Sequence, residues 1–383
     1  MGTSKFLFLG IVCSAATALS LALSPAIPSE ALTGSGSEAR TQPDSEVLAR
    51  SDPEARRRPD SEVLARSDTE APTPSGSEGR TQSGSDAPNG LHFTLKALGH
   101  NVFAAIDNAK GEAGANAGFV IGDDGVAVID SFENPDAAKQ LLAEIKKLTP
   151  LPVKFLINTH YHLDHVAGNR VFQEAGAVIF AQRNVPAWIH TENLKFFGKN
   201  IKPEQKALVE NIAGPDVVYD SGVTLFLGKR RIEVHVFPGH TGGDSIVFIP
   251  DAPAVFCGDL FWKKTLPNLI DASTEKWIPT LAAIAELSPS ADFIPGHGDV
   301  GKSQDVKDFR QYLMDLREMA AGPVKDGKKG DDLVAAVLPG LTQKYGEWSF
   351  FKFFAKPDIL NAGAELRGEK KNPVPESSLA AHP

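Results

Sequence analysis

The sequence predicts a layered α/β fold, and three observations predict it. From residue 91 onward, apolar runs of strand length alternate with stretches whose apolar residues recur at helical spacing. Glycine, proline and asparagine punctuate these segments where turns and helix starts are expected. Several of the runs also end on His or Asp, so chemistry-bearing side chains gather in the loops that follow strands.

In order along the chain, short strands are expected over 92–97, 102–107, 118–121 and 126–129, with Gly-Asp-Asp-Gly at 122–125 as a hairpin turn. Asn134 then caps a helix that has Pro135 at its first position and Leu141, Leu142 and Ile145 on its apolar face. A buried strand over 153–157 runs into Asn158-Thr-His-Tyr-His-Leu-Asp-His165. A helix to about Glu174 and a strand over 177–181 follow. Later strands are expected over 223–227, 232–237, 245–249, 254–257 and 292–294. Between the last two, Trp277, Ile278, Leu281, Ile284 and Leu287 mark a helix. A further helix over 303–320 carries the stripe Val306, Phe309, Tyr312, Leu313, Leu316 and Met319. Another covers 331–338, ended by Pro339-Gly340, and an aromatic cluster of Phe350, Phe351, Phe353 and Phe354 follows Trp348. This cluster is read as cover for the domain's own core, with the active groove and an oligomer interface as the other placements.

The N-terminal quarter is a different kind of chain. No aromatic residue lies between Phe8 and Phe93, and no lysine between Lys5 and Lys96. Lys5, the apolar run from Phe6 to Leu23 and small residues at 22–26 read as a secretory signal over 1–26. The protein is therefore expected to be secreted or periplasmic, with membrane attachment only if that segment stays uncleaved. Residues 27–88 are rich in Ser, Gly, Pro and charge, and PDSEVLARSD occurs twice, at 43–52 and 59–68. Repeats this short and polar bury no core, so a disordered tether is expected. The catalytic domain is assigned to 89–302, a helical C-terminal extension to 303–371 and a tail to 372–383.

The whole chain has 39 basic and 48 acidic residues, a net charge of −9. That balance argues against a nucleic-acid partner and leaves a small molecule as the expected one. Twelve of the acidic residues fall in the tether, so the net charge says little about the substrate. Two cysteines, Cys13 and Cys257, exclude a disulfide framework and a Cys-rich zinc finger.

His160-Tyr-His162-Leu-Asp164-His165 is the most informative segment. Residues two apart in an extended stretch point the same way, so His160 and His162 can face one ion. A turn into helix then aims Asp164 and His165 at a neighbouring position. Imidazoles and a carboxylate are the ligands of catalytic zinc. Phe237-Pro-Gly-His240 and Ile294-Pro-Gly-His297 each place a His after an apolar strand, and Cys257-Gly-Asp259 ends a third strand the same way. One site of His160, His162 and His240 and a second of Asp164, His165 and His297, bridged by Asp259, are expected.

This ordered set, with Asp130 before it, resembles the five motifs of the metallo-β-lactamase fold superfamily over about 91–301. The resemblance implies a four-layer αββα sandwich with two zinc ions in a groove at the sheet edges. It implies a structural role for Asp130, holding the ligand loop behind the metal ligands. It implies a hydrolase using a metal-bridging hydroxide, with Asp164 as both ligand and catalytic group. An Asp at 259 resembles thioesterases and lactonases, because zinc β-lactamases typically carry Cys or Ser there. The expected activity is cleavage of a small ester, lactone, thioester or amide. The alternatives are a true β-lactamase, a mononuclear iron dioxygenase resembling persulfide dioxygenases, and a non-catalytic binding module. Tyr161, Trp262, Lys263 and Lys264 are further candidates for a substrate wall or anion clamp.

Overall fold

The computed structural model describes residues 90–374. The expected export signal, the repeat-bearing tether and residues 375–383 of the tail lie outside them. Seven strands form one sheet in sequence order: β1 (Phe93–Gly99), β2 (Val102–Asp107), β3 (Ala117–Ile121), β4 (Val126–Ile129), β5 (Val153–Ile157), β6 (Val178–Gln182) and β7 (Val217–Tyr219). Its first four strands are an antiparallel meander, and β4 to β7 run parallel. The second sheet has the order β12-β11-β10-β9-β8. It contains β8 (Gly222–Leu227), β9 (Arg230–Val236), β10 (Ser245–Ile249), β11 (Ala254–Trp262) and β12 (Asp292–His297), with only the β11–β12 pair parallel.

Strand periodicity explains why these segments read as continuous apolar runs: both faces are covered. In β4, Ala127 and Ile129 point into the cluster between the sheets, while Val126 and Val128 point outward. In β10, Val247 and Ile249 take the inner side, and Ile246 and partly buried Phe248 the outer. The outer face of the first sheet is covered by α1 (Pro135–Leu148) and α3 (Asn169–Glu174), through Leu141, Ile145 and Phe172. The outer face of the second is covered by α7 (Thr274–Leu287), α8 (Ser303–Lys325), α9 (Gly330–Tyr345) and α10 (Phe351–Leu366). The result is the four-layer αββα sandwich. Four short helices, α2 (Leu163–Val166), α4 (Val185–Trp188), α5 (Thr191–Phe197) and α6 (Pro203–Glu210), complete the described α-helices, with one 3-10 turn at Gly198–Asn200. A small cluster around Tyr161, Val166 and Trp188 packs with them.

Asn134 caps α1 as expected, accepting the Asp136 N–H at 2.9 Å. Other elements correct the sequence reading. The single helix expected after the His-rich segment is two, α2 and α3, and α6 and β7 lie outside the expected elements. β11 continues through Gly258 and Asp259 to Trp262, so Asp259 sits inside a strand. A register shift between Phe256 and Gly258 bends the strand there, with Gly258 at φ 49°. α9 does not stop at Pro339 but runs through it to Tyr345. An interior proline costs about 3 kcal/mol, and burial of Val334, Val337, Leu341 and Tyr345 against the neighbouring helices offsets it. The phenylalanine cluster is the first turn of α10, a helix with buried residues but no single apolar stripe.

Candidate metal centre

Six of the seven candidate ligands lie at or beyond the C-terminal ends of β5, β9 and β12, the seventh, Asp259, lies within β11, and all converge in two groups. His160, His162, His240 and Asp259 form one; Asp164, His165, Asp259 and His297 form the other. In the first, His162 Nδ1 and His240 Nε2 are 2.9 Å apart, and His240 Nε2 is 3.1 Å from Asp259 Oδ2. His160 Nε2 lies 3.8 Å from that same oxygen. In the second, His165 Nε2 is 3.1 Å and His297 Nε2 3.5 Å from Asp259 Oδ1. Asp164 Oδ2 is 3.1 Å from His297 Nε2 and 3.6 Å from His165 Nε2. Asp259 thus turns one oxygen to each group.

These spacings fit metal ions. Ligand atoms at the corners of a zinc tetrahedron with bonds near 2.0–2.1 Å are about 3.3 Å apart. His160 Nε2, His165 Nε2, His297 Nε2, His240 Nδ1 and Asp259 Oδ1 are buried without a hydrogen-bond partner. Native structures rarely strand polar atoms in this way unless an ion or water serves them.

Each group is held from behind. Asp130, in the left-handed region at φ 56°, accepts the Thr159 N–H at 2.8 Å and the Thr159 hydroxyl at 2.7 Å. Its Oδ2 also faces His165 Nδ1 at 2.9 Å. Asp130 therefore fixes both the start of the ligand loop and one ligand ring. Two glycines keep the approach open. A Cβ on Gly258 would stand 2.3 Å from Thr159 Oγ1, and one on Gly296 would stand 1.8 Å from Asp259 Oδ1.

The electrostatics are those of a dense, buried charge cluster. Burial opposes the charge on His165, yet Asp259, Asp164 and Asp130 hold its imidazolium well above the usual range. Burial and the neighbouring His165 push His160 well below it. Burial opposes ionisation of Asp259 too, but His165, His297 and His240 keep it well below the ordinary carboxylate value.

The sequence reading missed Asp271, which follows β11 and belongs to no motif. Its Oδ2 accepts the Tyr161 hydroxyl at 2.6 Å and lies 3.2 Å from His162 Nε2. It also missed Asn116, whose Nδ2 donates to the carbonyls of Pro295 and Gly298 and so braces the loop carrying His297. A lone Asp or Asn carries no local signal for such contacts.

Three of the four candidate wall and clamp residues are engaged within the fold. Tyr161 is fully buried, and Trp262 stacks on His297 at 4.0 Å while donating to the Asp259 carbonyl. Lys263 donates to the Val300 carbonyl. Cys257 is buried in the outer cluster, away from both groups.

Residues 111–297 match the family model described as the Metallo-beta-lactamase superfamily. The chain is 29% identical over 182 residues to a hydroxyacylglutathione hydrolase of Brucella anthropi, covering 48% of this chain and 61% of that one. It is 24% identical to a linear primary-alkylsulfatase of a Pseudomonas species, covering 58% of this chain and 51% of that one. The chain thus spans about half to three-fifths of the length of these curated relatives. Among solved structures, a metallo-beta-lactamase from Pontibacter korlensis aligns at 22% identity and a TM-score of 0.48, covering 58% of this chain and 99% of that one.

Proposed function

With a metallo-beta-lactamase superfamily domain over residues 111–297 as the premise, we propose that this protein is an exported hydrolase of small acyl compounds that works with two zinc ions. The observation that carries the reading is the placement of Asp259. Its Oδ2 is 3.1 Å from His240 Nε2 in one group, and its Oδ1 is 3.1 Å from His165 Nε2 in the other. One carboxylate shared in this way suits two adjacent ions better than one.

His160, His162 and His240 would hold the first ion, and Asp164, His165 and His297 the second, with Asp259 between them. Imidazole and carboxylate donors without thiolate suit zinc. Ions there supply Lewis acidity and lower the pKa of water to about 7. The protein's own groups do the rest. The Asp164 side chain, 27% exposed, is the most open of the seven. It orients the attacking water and takes its proton. Burial of Tyr161 and Trp262 keeps bulk water from the flanks of the ligand rings. Export rests on the N-terminal apolar run from Phe6 to Leu23.

Metal analysis of the purified protein combined with a hydrolysis panel tests the reading. Two zinc ions per chain and turnover of esters, lactones or thioesters support it. One iron ion, or no metal, overturns it. Longer coverage of this chain by the alkylsulfatase match makes an alkyl sulfate a necessary member of the panel. Turnover of that compound alone would replace the acyl substrate with a sulfate ester.

A further inference from the structure

Two aromatic side chains of the C-terminal extension do not serve the core. Phe350 is 42% exposed and Phe353 50%, whereas Phe351 and Phe354, in the same turn, pack against the outer cluster. Phe350 stands beside a candidate ligand: its ring centroid is 6.2 Å from that of His297, at 70° between planes. Phe353 and Phe354 meet Phe350 edge-on at 6.2 and 5.9 Å. On the other side of this edge, Trp262 stacks on His297 and meets Phe354 at 6.4 Å. Apolar surface thus extends from the rim of the second ligand group out to water.

This placement is built by the backbone. Phe350 has φ 59°, a left-handed conformation that a bulky side chain adopts only when its surroundings impose it. Its surroundings do so. Just beyond β11, the Leu266 N–H donates to the Ser349 carbonyl at 2.9 Å, and the Ser349 N–H donates to the Lys264 carbonyl at 3.0 Å. The Phe350 carbonyl in turn accepts the N–H groups of Phe353 and Phe354 at 2.9 Å. Lys264, opposite, is also left-handed at φ 51°. The segment that leaves the ligand-bearing strand and the start of α10 are therefore tied together, and the tie presents the Phe350 ring to His297.

We infer that Phe350, with Phe353 behind it, forms an apolar subsite at the His297 edge of the centre that takes the apolar tail of the substrate's acyl group. An exposed aromatic pair beside a polar candidate centre is where such a tail sheds water on binding. The inference rests on the acyl-hydrolase reading for the bond that is cleaved, but the binding of a tail does not.

The test compares p-nitrophenyl octanoate with p-nitrophenyl acetate for the wild type, Phe350→Ala, Phe350→Leu and Phe353→Ala, together with calorimetric binding of octanoate and acetate ions. Phe350→Ala should raise KM for the octanoate ester about tenfold and leave the acetate ester within twofold. Phe350→Leu should recover most of the loss, and Phe353→Ala should lose about threefold. Octanoate should bind the wild type more tightly than Phe350→Ala by a similar factor. If esters are turned over and both respond alike to Phe350→Ala, the subsite is wrong and the hydrolase reading stands. If no ester is cleaved but octanoate binding depends on residue 350, the hydrolase reading is wrong and the subsite stands. Unchanged octanoate binding in a Phe350→Ala protein of wild-type melting temperature overturns the subsite in either case.

Discussion

Nε2 of His162 lies 3.2 Å from Oδ2 of Asp271, and that oxygen also accepts the Tyr161 hydroxyl at 2.6 Å. The carboxylate therefore sets the tilt and tautomer of His162, whose other nitrogen faces His240. The loop carrying Asp271 is held in turn by Lys370, which donates to the carbonyls of Leu269 and Ala272, and by Glu365, which accepts the Thr274 and Glu275 N–H groups. Carboxylates behind metal-binding histidines commonly contribute about 10–100-fold to metal affinity. Asp271→Asn should weaken zinc binding in a chelator competition by about that factor, and Tyr161→Phe by less. Unchanged affinity in Asp271→Asn would show that His162 needs no support.

Gly296 offers a way to disturb Asp259 without altering any ligand. A Cβ there would stand 1.8 Å from Asp259 Oδ1, so the carboxylate must turn away from the second group. Gly296→Ala should leave the purified protein with fewer than two ions. The same Cβ would stand 2.9 Å from the Gly258 carbonyl carbon, so the melting temperature after chelation should fall below that of chelated wild type. Gly258→Ala should cost more, because it adds a left-handed strain of about 1–2 kcal/mol to a clash with Thr159. It should lower the melting temperature even without metal.

Removal of metal should itself destabilise the fold. Ions that bind only the folded state add about 4 kcal/mol when free metal is about a thousand times Kd. The stranded nitrogens of His160, His165 and His297 lose their partners when the ions leave. A chelator should therefore lower the melting temperature, and His160→Ala should show a smaller drop and no turnover. An identical chelator response in the two proteins would remove His160 from the ligand set.

The C-terminal helices carry a pH-dependent element of their own. Asp358 in α10 is fully buried and accepts the Tyr312 hydroxyl of α8 at 2.5 Å. Burial holds its carboxyl well above the usual range, against the pull of Tyr312 and Lys370. The folded protein then keeps a proton that the unfolded chain has released. This costs stability as pH rises above about 4, at about 1.4 kcal/mol per unit until the folded group ionises. Asp358→Asn cannot ionise, so its melting temperature should gain on the wild type between pH 4 and pH 8. A difference that stays flat over that range would place the folded value near the ordinary one.

The sequence by itself determined most of the strands and the seven residues that meet in the metal groups. Strand runs such as 102–107, 126–129 and 245–249 are short-range patterns, and the His160–His165 segment carries its geometry in local spacing. The Asn134-Pro135 helix start is local in the same sense. Tertiary structure decided what depends on distant partners. Packing of α9 on α8 and α10 overrode the stop signal at Pro339, and both-face burial carried β11 through Gly258 to Trp262. Asp271 reaches a residue 109 positions earlier, and Asn116 reaches carbonyls 179 and 182 positions later. No periodicity encodes such contacts, because a single side chain's partner is fixed only when the layers close. The same closure set the phenylalanines of 350–354 to different tasks: two pack on the core, and two stand open to water at the edge of the centre.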